Sequence, residues 1–244
     1  LLNSRSISTV MDLRLLNQGI LRNFFFKINI TPFGKKNMFY AISPGVQKDF
    51  KKIIKRSISY VATYIELKEE EISNKFNFKE EFALVISSDL PHKNLDLLFN
   101  IENQLPLNII IIGPVYRTNK NYNTKKISHL GFVSKSEKQE LIRKSKFLIF
   151  PTTFEGFGYP VVEAAQFNKK IICNNLKVFI TLFKDYPIYT DCNDEISWVN
   201  QIQSVNKSLD SGSFSKSSKS NIDNRLKHYF DAKRFKKEIL NLVK

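Results

Sequence analysis

The sequence predicts an α/β protein whose core is a parallel sheet with helices on both faces. Three observations carry that reading. From about residue 80 onward, short apolar runs alternate with amphipathic segments. Turn signals such as Gly113-Pro114 separate them. Strand, helix, strand, helix at this pace closes as a parallel sheet covered on both sides.

Taken in order, Ser8–Met11 is read as a strand, Leu13–Lys27 as a helix, Asn37–Ile42 as a strand, Val46–Arg56 as a helix and Ile58–Ala62 as a strand. This is the same α/β grammar, too short for a complete domain. Phe82–Ile86 (F-A-L-V-I) reads as a buried strand, followed by a helix over Asn94–Gln104 with Leu95, Leu97, Leu98 and Ile101 at helical spacing. Leu107–Ile112 is the next strand, and a polar Asn- and Lys-rich loop runs to Lys126. Ile127–Phe132 reads as a strand, Ser136–Lys144 as a helix with Ser136 as N-cap, and Lys146–Phe150 as a strand. A helix over Gly158–Phe167 and a strand over Lys170–Cys173 complete a Rossmann-like domain. Residues 208–221 (S-L-D-S-G-S-F-S-K-S-S-K-S-N) form a polar low-complexity loop, and residues 222–244 return to helical periodicity. The organisation expected is an amino-terminal remnant over 1–78, the main domain over 79–207, the loop, and a carboxyl-terminal helix.

Composition narrows the function. Apolar residues make up 42% of the 244 positions, which supports a packed core and excludes a disordered or fibrous chain. The net charge of +15 attracts polyanions, although a solvated lysine-rich surface satisfies it equally well. Lys48, Lys51, Lys52, Lys55 and Arg56 form a local basic cluster. No nucleic-acid motif accompanies the charge, and the aromatic residues are spaced like core residues. Cys173 and Cys192 have no metal-ligand spacing and read as reduced thiols. His92, His129 and His228 share no ligand spacing either, and Asp191–Asp194 (D-C-N-D) reads as a loop before a helix. Apolar runs fall far short of the roughly 18 residues that a spanning helix needs. The chain opens on Leu1 with a strand already in progress, so a start upstream is expected.

The stretch with most chemistry is Phe150–Ala165, F-P-T-T-F-E-G-F-G-Y-P-V-V-E-A-A. It lies between a strand and a helix, at the carboxyl end of a parallel strand, where open α/β sheets bind ligands. A helix start there offers N–H groups and a positive dipole end to an anion. Gly156 and Gly158 let a ligand approach the backbone, and Glu155 and Glu163 can each accept from paired hydroxyls. Carboxylates facing polyols around a phosphate-binding turn describe a nucleotide-sugar pocket. Alone, an E-G-x-G is also an ordinary turn into a helix.

With seven residues between its glutamates, E-G-F-G-Y-P-V-V-E-A resembles the glutamate-x7-glutamate motif of retaining GT-B glycosyltransferases of the family 4 type. Ser87–Asp96 (S-S-D-L-P-H-K-N-L-D) resembles that family's donor-phosphate loop. Ile127–Ser134 (I-S-H-L-G-F-V-S) resembles the strand and loop beside the base, and Leu141–Pro151 the segment leading into the motif. The resemblance implies the donor-binding half of a GT-B fold, with Lys93 on the donor diphosphate and Glu155 on the sugar hydroxyls as the catalytic pair. It implies that Gly156, Phe157 and Gly158, with Tyr159, line the sugar and phosphate, that Glu163 holds the ribose, and that Phe132 and Val133 flank the base. Ser88 occupies the position where many members carry an arginine, and Met11 one where a histidine is frequent. No metal and no cofactor beyond the nucleotide-sugar donor is expected. The implied activity is transfer of a sugar to a glycan or lipid-linked acceptor with retention, in cell-surface polysaccharide synthesis. The basic cluster points to an anionic membrane face, so a cytoplasmic, peripheral protein is expected. The alternative is a nucleotide-sugar-binding fragment that needs an upstream domain or partner.

Overall fold

The computed structural model describes residues 7–10, 38–55, 57–66, 75–117, 122–211 and 226–242. They divide into two compact units. The first comprises the described residues of Leu1–Glu66 with Glu155–Phe157 and His228–Lys244; the second comprises those of Leu67–Phe154 and Gly158–Lys227.

In the first unit, β1 (Ile7–Val10), β2 (Met38–Ala41) and β3 (Ser59–Tyr60) form a parallel three-stranded sheet. Helix α1 (Pro44–Ile54) begins at Ser43, whose hydroxyl accepts from the Val46 N–H at 3.2 Å, with Pro44 in the first turn where no N–H is needed. Its Val46 and Phe50 pack with Val10, Ala41 and Ile58. Lys48, Lys51, Lys52 and Lys55 stay exposed. The carboxyl-terminal segment is a 3-10 turn, Lys227–Phe230, then α7 (Ala232–Asn241, with α2 to α6 in the second unit). The expected single helix is interrupted at Asp231, which caps α7 by accepting from the Arg234 N–H at 2.9 Å. Arg234 also reaches back, donating from Nη2 to the Ala62 carbonyl at 2.8 Å and from Nε to that of His228 at 3.0 Å. Met11, Asp12, Arg56 and the helix expected over Leu13–Lys27 lie outside the described residues.

The second unit is one six-stranded parallel sheet of β4 (Phe82–Ile86), β5 (Asn108–Ile112), β6 (Ile127–His129), β7 (Leu148–Phe150), β8 (Ile171–Asn174) and β9 (Ile188–Thr190). Its order is β6-β5-β4-β7-β8-β9, with β4 and β7 paired through Leu84 and Leu148. This is the doubly wound, Rossmann-like arrangement that strand–helix alternation predicted. Its central strands β4 and β7, and β5 after Asn108, read as unbroken apolar runs because helices cover both faces.

Those helices are α2 (Asp96–Asn100), α3 (Lys135–Lys144), α4 (Tyr159–Ala165), α5 (Lys177–Phe183) and α6 (Glu195–Asp210). Helix α5 was not expected, α4 is shorter than the Gly158–Phe167 expected, and α2, α3 and α6 differ in ways that have a local cause. The apolar spacing of Asn94–Gln104 builds only the short α2 and a 3-10 turn, Glu102–Gln104, because Asn94 adopts a left-handed φ of 53° and Ile101 leaves helical geometry. Helix α3 is capped by Ser134, not Ser136. The Ser134 hydroxyl accepts from the Glu137 N–H, and the Glu137 carboxylate accepts from the Ser134 N–H at 2.7 Å, a reciprocal capping box. The Glu137 carboxyl is lowered to about 2, first by its bond from Lys75 at 2.6 Å and then by Ser134. Helix α6 runs to Asp210, into the stretch read as loop, because Trp198, Val199, Ile202 and Val205 give it a buried stripe. Asp194, from the D-C-N-D loop, is its N-cap.

Two glycines hold turns that other residues resist. Gly113, just after β5, has φ of 141°, and a Cβ there would sit 2.1 Å from the Ser87 carbonyl oxygen. The bare Cα lets the ends of β4 and β5 close together. Gly158, at the start of α4, has φ of 103°, and a Cβ would meet the Phe179 ring at 2.7 Å.

Candidate functional site

In an open parallel sheet the crevice lies at the carboxyl ends of the two strands where the order reverses, here β4 and β7. The loop after β4 carries Ser87, Ser88 and Asp89, then a 3-10 turn over Pro91–Lys93. The loop after β7 carries Pro151, Thr152 and Thr153. One oxygen joins them: the His92 carbonyl accepts from the Thr153 N–H at 2.7 Å, the Thr152 hydroxyl at 3.0 Å and the Thr153 hydroxyl at 3.1 Å. Thr152 is fully buried, and its own carbonyl accepts from the Asn174 side chain at 3.0 Å. Asn174 closes β8, and its Oδ1 accepts from the Cys192 N–H at 3.1 Å. The rim of the crevice is therefore hydrogen-bonded across three strands.

Lys93 ends the 3-10 turn one residue beyond this joint. Its ammonium stands 5.8 Å from the centre of the Phe150 ring, at the mouth of β7. Ser88 is half-buried in the same loop.

Asp89 is fully buried and fixes the neighbouring loop. It accepts from the Tyr116 and Arg117 N–H groups, each at 2.7 Å, and from the Tyr122 hydroxyl at 2.9 Å, with Arg117 Nε 3.8 Å away. Burial alone would raise its carboxyl, but the backbone, Tyr122 and Arg117 together hold it below the ordinary value. His129, on β6, accepts from the Gly131 N–H through Nδ1 at 3.0 Å, which leaves the proton on Nε2. Burial lowers its imidazole, against a smaller opposing pull from Asp89, so the ring is held neutral.

The other sequence-predicted residues divide. Phe132 is 84% exposed and Val133 half-buried, both in the loop after β6. Gly158 and Tyr159 open α4, and Glu163 lies on it. The start of this helix offers less to an anion than expected, because Pro160 has no N–H and that of Val161 donates to the Gly158 carbonyl at 3.0 Å. Gly158 is required by its own φ and by the Phe179 ring. Glu155, Gly156 and Phe157 group with the first unit, where the buried Phe157 ring stands edge-on to Tyr229 at 5.2 Å. The two residues expected to be catalytic, Lys93 and Glu155, thus belong to different units.

The sequence reading missed Asp89, Thr152, Asn174 and Lys138. Lys138, on α3, donates to Glu163 Oε1 at 2.6 Å. A carboxylate three residues after the apolar run that forms β4 was a signal available for Asp89. Nothing local pairs Lys138 with a glutamate 25 positions away.

With this geometry in view, the chain belongs to the family of glycosyl transferases group 1, which it matches over residues 68–219. It is 28% identical over 137 residues to the O-antigen chain mannosyltransferase RfbU of Salmonella typhimurium, covering 52% of this chain and 39% of that one. It is 26% identical over 171 residues to an uncharacterized glycosyltransferase of Methanocaldococcus jannaschii, covering 68% and 47%. The chain thus spans less than half the length of these two curated relatives. Its fold is that of GT-B glycosyltransferases, as in Anabaena Alr3699/HepE in complex with UDP and glucose, which superposes with a TM-score of 0.76 at 14% identity over 97% of this chain and 71% of that one.

Asp89 gives a pH test. A carboxyl held below its unfolded value, about 3.9, stabilises the fold above that pH and loses its contribution as pH falls toward the native value. Asp89→Asn is expected to cost about 2 kcal/mol at pH 7, since it removes a charge from a buried, donor-filled site. In urea denaturation the gap between variant and parent should narrow as pH drops below about 4. A gap that stays constant with pH contradicts the assignment.

Proposed function

We propose that the chain carries the donor-binding half of a retaining glycosyltransferase of the family 4 type. Its reaction moves a sugar from a nucleoside-diphosphate donor to a glycan or lipid-linked acceptor in cell-surface polysaccharide synthesis. The observation that carries this reading is the joint of the two switch-point loops at the His92 carbonyl, one residue before Lys93. It sets a lysine on a rigid rim at the crevice where doubly wound sheets hold nucleotides. Lys93 acts on the diphosphate as a point charge, stabilising it as it leaves. Glu155 holds sugar hydroxyls and Glu163 those of the ribose, with the backbone of Gly156, Phe157, Gly158 and Tyr159 along the sugar and phosphate and Ser88 in the loop that carries Lys93. Phe132 and Val133 lie beside the base. Catalysis in this reading rests on positioning and electrostatics and calls on no metal.

The names of the relatives support it: O-antigen mannosyltransferases build polysaccharide, and the Anabaena structure holds UDP and glucose. Donor binding is proposed for this chain, and transfer for the length that the relatives have. Calorimetry with UDP and GDP tests the reading. One of the two is expected to bind, and Lys93→Met to weaken it about tenfold, or ~1.4 kcal/mol, through loss of a charge-assisted contact. Absence of binding by both, or a variant as tight as the parent, contradicts it.

We also propose that α1 lies on an anionic membrane face through Lys48, Lys51, Lys52 and Lys55. Among the described residues no helix is long and apolar enough to cross a membrane. Each such cation near an anionic surface contributes about 1 kcal/mol, enough in sum for reversible attachment. Cosedimentation with phosphatidylglycerol vesicles is expected at low salt and should vanish near 1 M, where the Debye length is about 3 Å. Pelleting that survives charge reversal of the four lysines defeats the proposal.

A further inference from the structure

We propose that Lys138 is a positioning residue, fixing the Glu163 carboxylate and so setting how tightly the chain holds the ribose of a nucleoside diphosphate. This rests on the donor-binding reading. The pair is 2.6 Å apart, with side-chain exposures of 29% for Lys138 and 22% for Glu163. Exposed ion pairs between flexible side chains fix little, because each partner keeps its alternatives in water. This pair differs because it is half-buried and bridges two helices that are themselves anchored.

Helix α3 is anchored at its start by the Ser134–Glu137 capping box. Immediately after Lys138 come Gln139, Glu140, Leu141 and Ile142, all buried. Glu140 accepts from the Lys75 and Phe76 N–H groups and from the Lys144 ammonium, which ties the helix to the segment preceding β4. Helix α4 is anchored by Val161, Val162, Ala164 and Ala165, which flank Glu163 and are buried. The salt bridge thus joins two rigid backbones, and the glutamate's rotamer is the freedom it removes.

That freedom matters for a diol. A carboxylate that accepts from two neighbouring hydroxyls must hold its plane toward both. Lys138 occupies Oε1 and leaves Oε2 as an acceptor in a fixed direction. Oε1 also keeps a lone pair beside the ammonium. Ordering Glu163 before the ligand arrives removes a cost that binding would otherwise bear.

Two other roles would give the same contact: a tether between helices, or a cation acting on the diphosphate from a distance. A nucleotide without ribose hydroxyls separates them, because it keeps the diphosphate and loses the diol. The full 244-residue chain is titrated with whichever of UDP and GDP binds, and with its 2′,3′-dideoxy counterpart. The parent is expected to favour the ribonucleotide by about tenfold, the scale of one charge-assisted hydrogen bond. Lys138→Met should abolish most of that preference by weakening the ribonucleotide alone, and Lys138→Arg should keep it. In a Glu163→Ala background, Lys138→Met should change nothing further. Thermal melting checks folding, with Lys138→Gln as the substitute if Lys138→Met is unfolded. A variant that keeps the parent's preference, or that weakens both nucleotides equally, overturns the inference and leaves donor binding standing. A parent that binds neither UDP nor GDP overturns both.

Discussion

Because β5 and β6 leave β4 on one side while β7 lies against it on the other, the loops after β4 and β7 run apart, and something must hold the mouth they form. The His92 carbonyl does so by accepting three donors from Thr152 and Thr153. The Thr152 hydroxyl, which also reaches the Phe154 carbonyl at 3.1 Å, is fully buried, so its bonds are made inside the protein, whereas Thr153 donates from the exposed side of the rim. Lys93 follows directly in the chain, so its place depends on that joint. Asn174 extends the same bonding to β8. On the other flank, Gly113 admits the Ser87 carbonyl at a distance that no side chain would tolerate.

Around this rim the ionisable groups are placed by local partners, and the +15 net charge sets little of the arrangement. Asp89 is buried but filled with donors, so it stays charged and fixes the Tyr116–Arg117 backbone. His129 stands close enough to feel Asp89, yet burial dominates and keeps it neutral. Glu163 is half-buried beside Lys138, which balances its charge and restricts its rotamer. At Asp89 and Glu163 the burial of a polar group is offset by a partner a few ångströms away, whereas at His129 burial prevails.

Much of the fold was legible because it is written in period and punctuation. Phe82–Ile86 is read and found with the same limits, since an unbroken apolar run of five residues between Glu81 and Ser87 has little alternative in a covered sheet. Apolar spacing failed as a guide at Asn94–Gln104, where a left-handed Asn94 and a 3-10 turn break what periodicity joins. At α3 two serines could cap, each with a capping-box residue three positions on; Gln139 is buried, and the box that forms is Ser134 with Glu137. Helix α5 and strand β9 went unread; both are short, and although Pro187 stands directly before β9, a strand of three residues is too brief to show a period. At the site, local motif marked Lys93, Gly158 and Glu163, whereas Thr152, Asn174 and Lys138 owe their roles to contacts between segments distant in sequence. Glu155 and Gly156 were legible as motif, but the structure groups them with a different unit from Lys93.

The central claim is that the carboxyl ends of β4 and β7 hold a nucleoside diphosphate. Amide hydrogen exchange of the chain with and without UDP or GDP tests it most directly, because it reports where a ligand protects backbone without presuming any side chain's role. The account predicts slowed exchange concentrated in residues 87–94 and 151–163, with little change at the opposite end of the sheet around Phe78, Glu80 and Asn108. Protection centred on that opposite end, or spread evenly over the chain while the two loops stay unchanged, would contradict it.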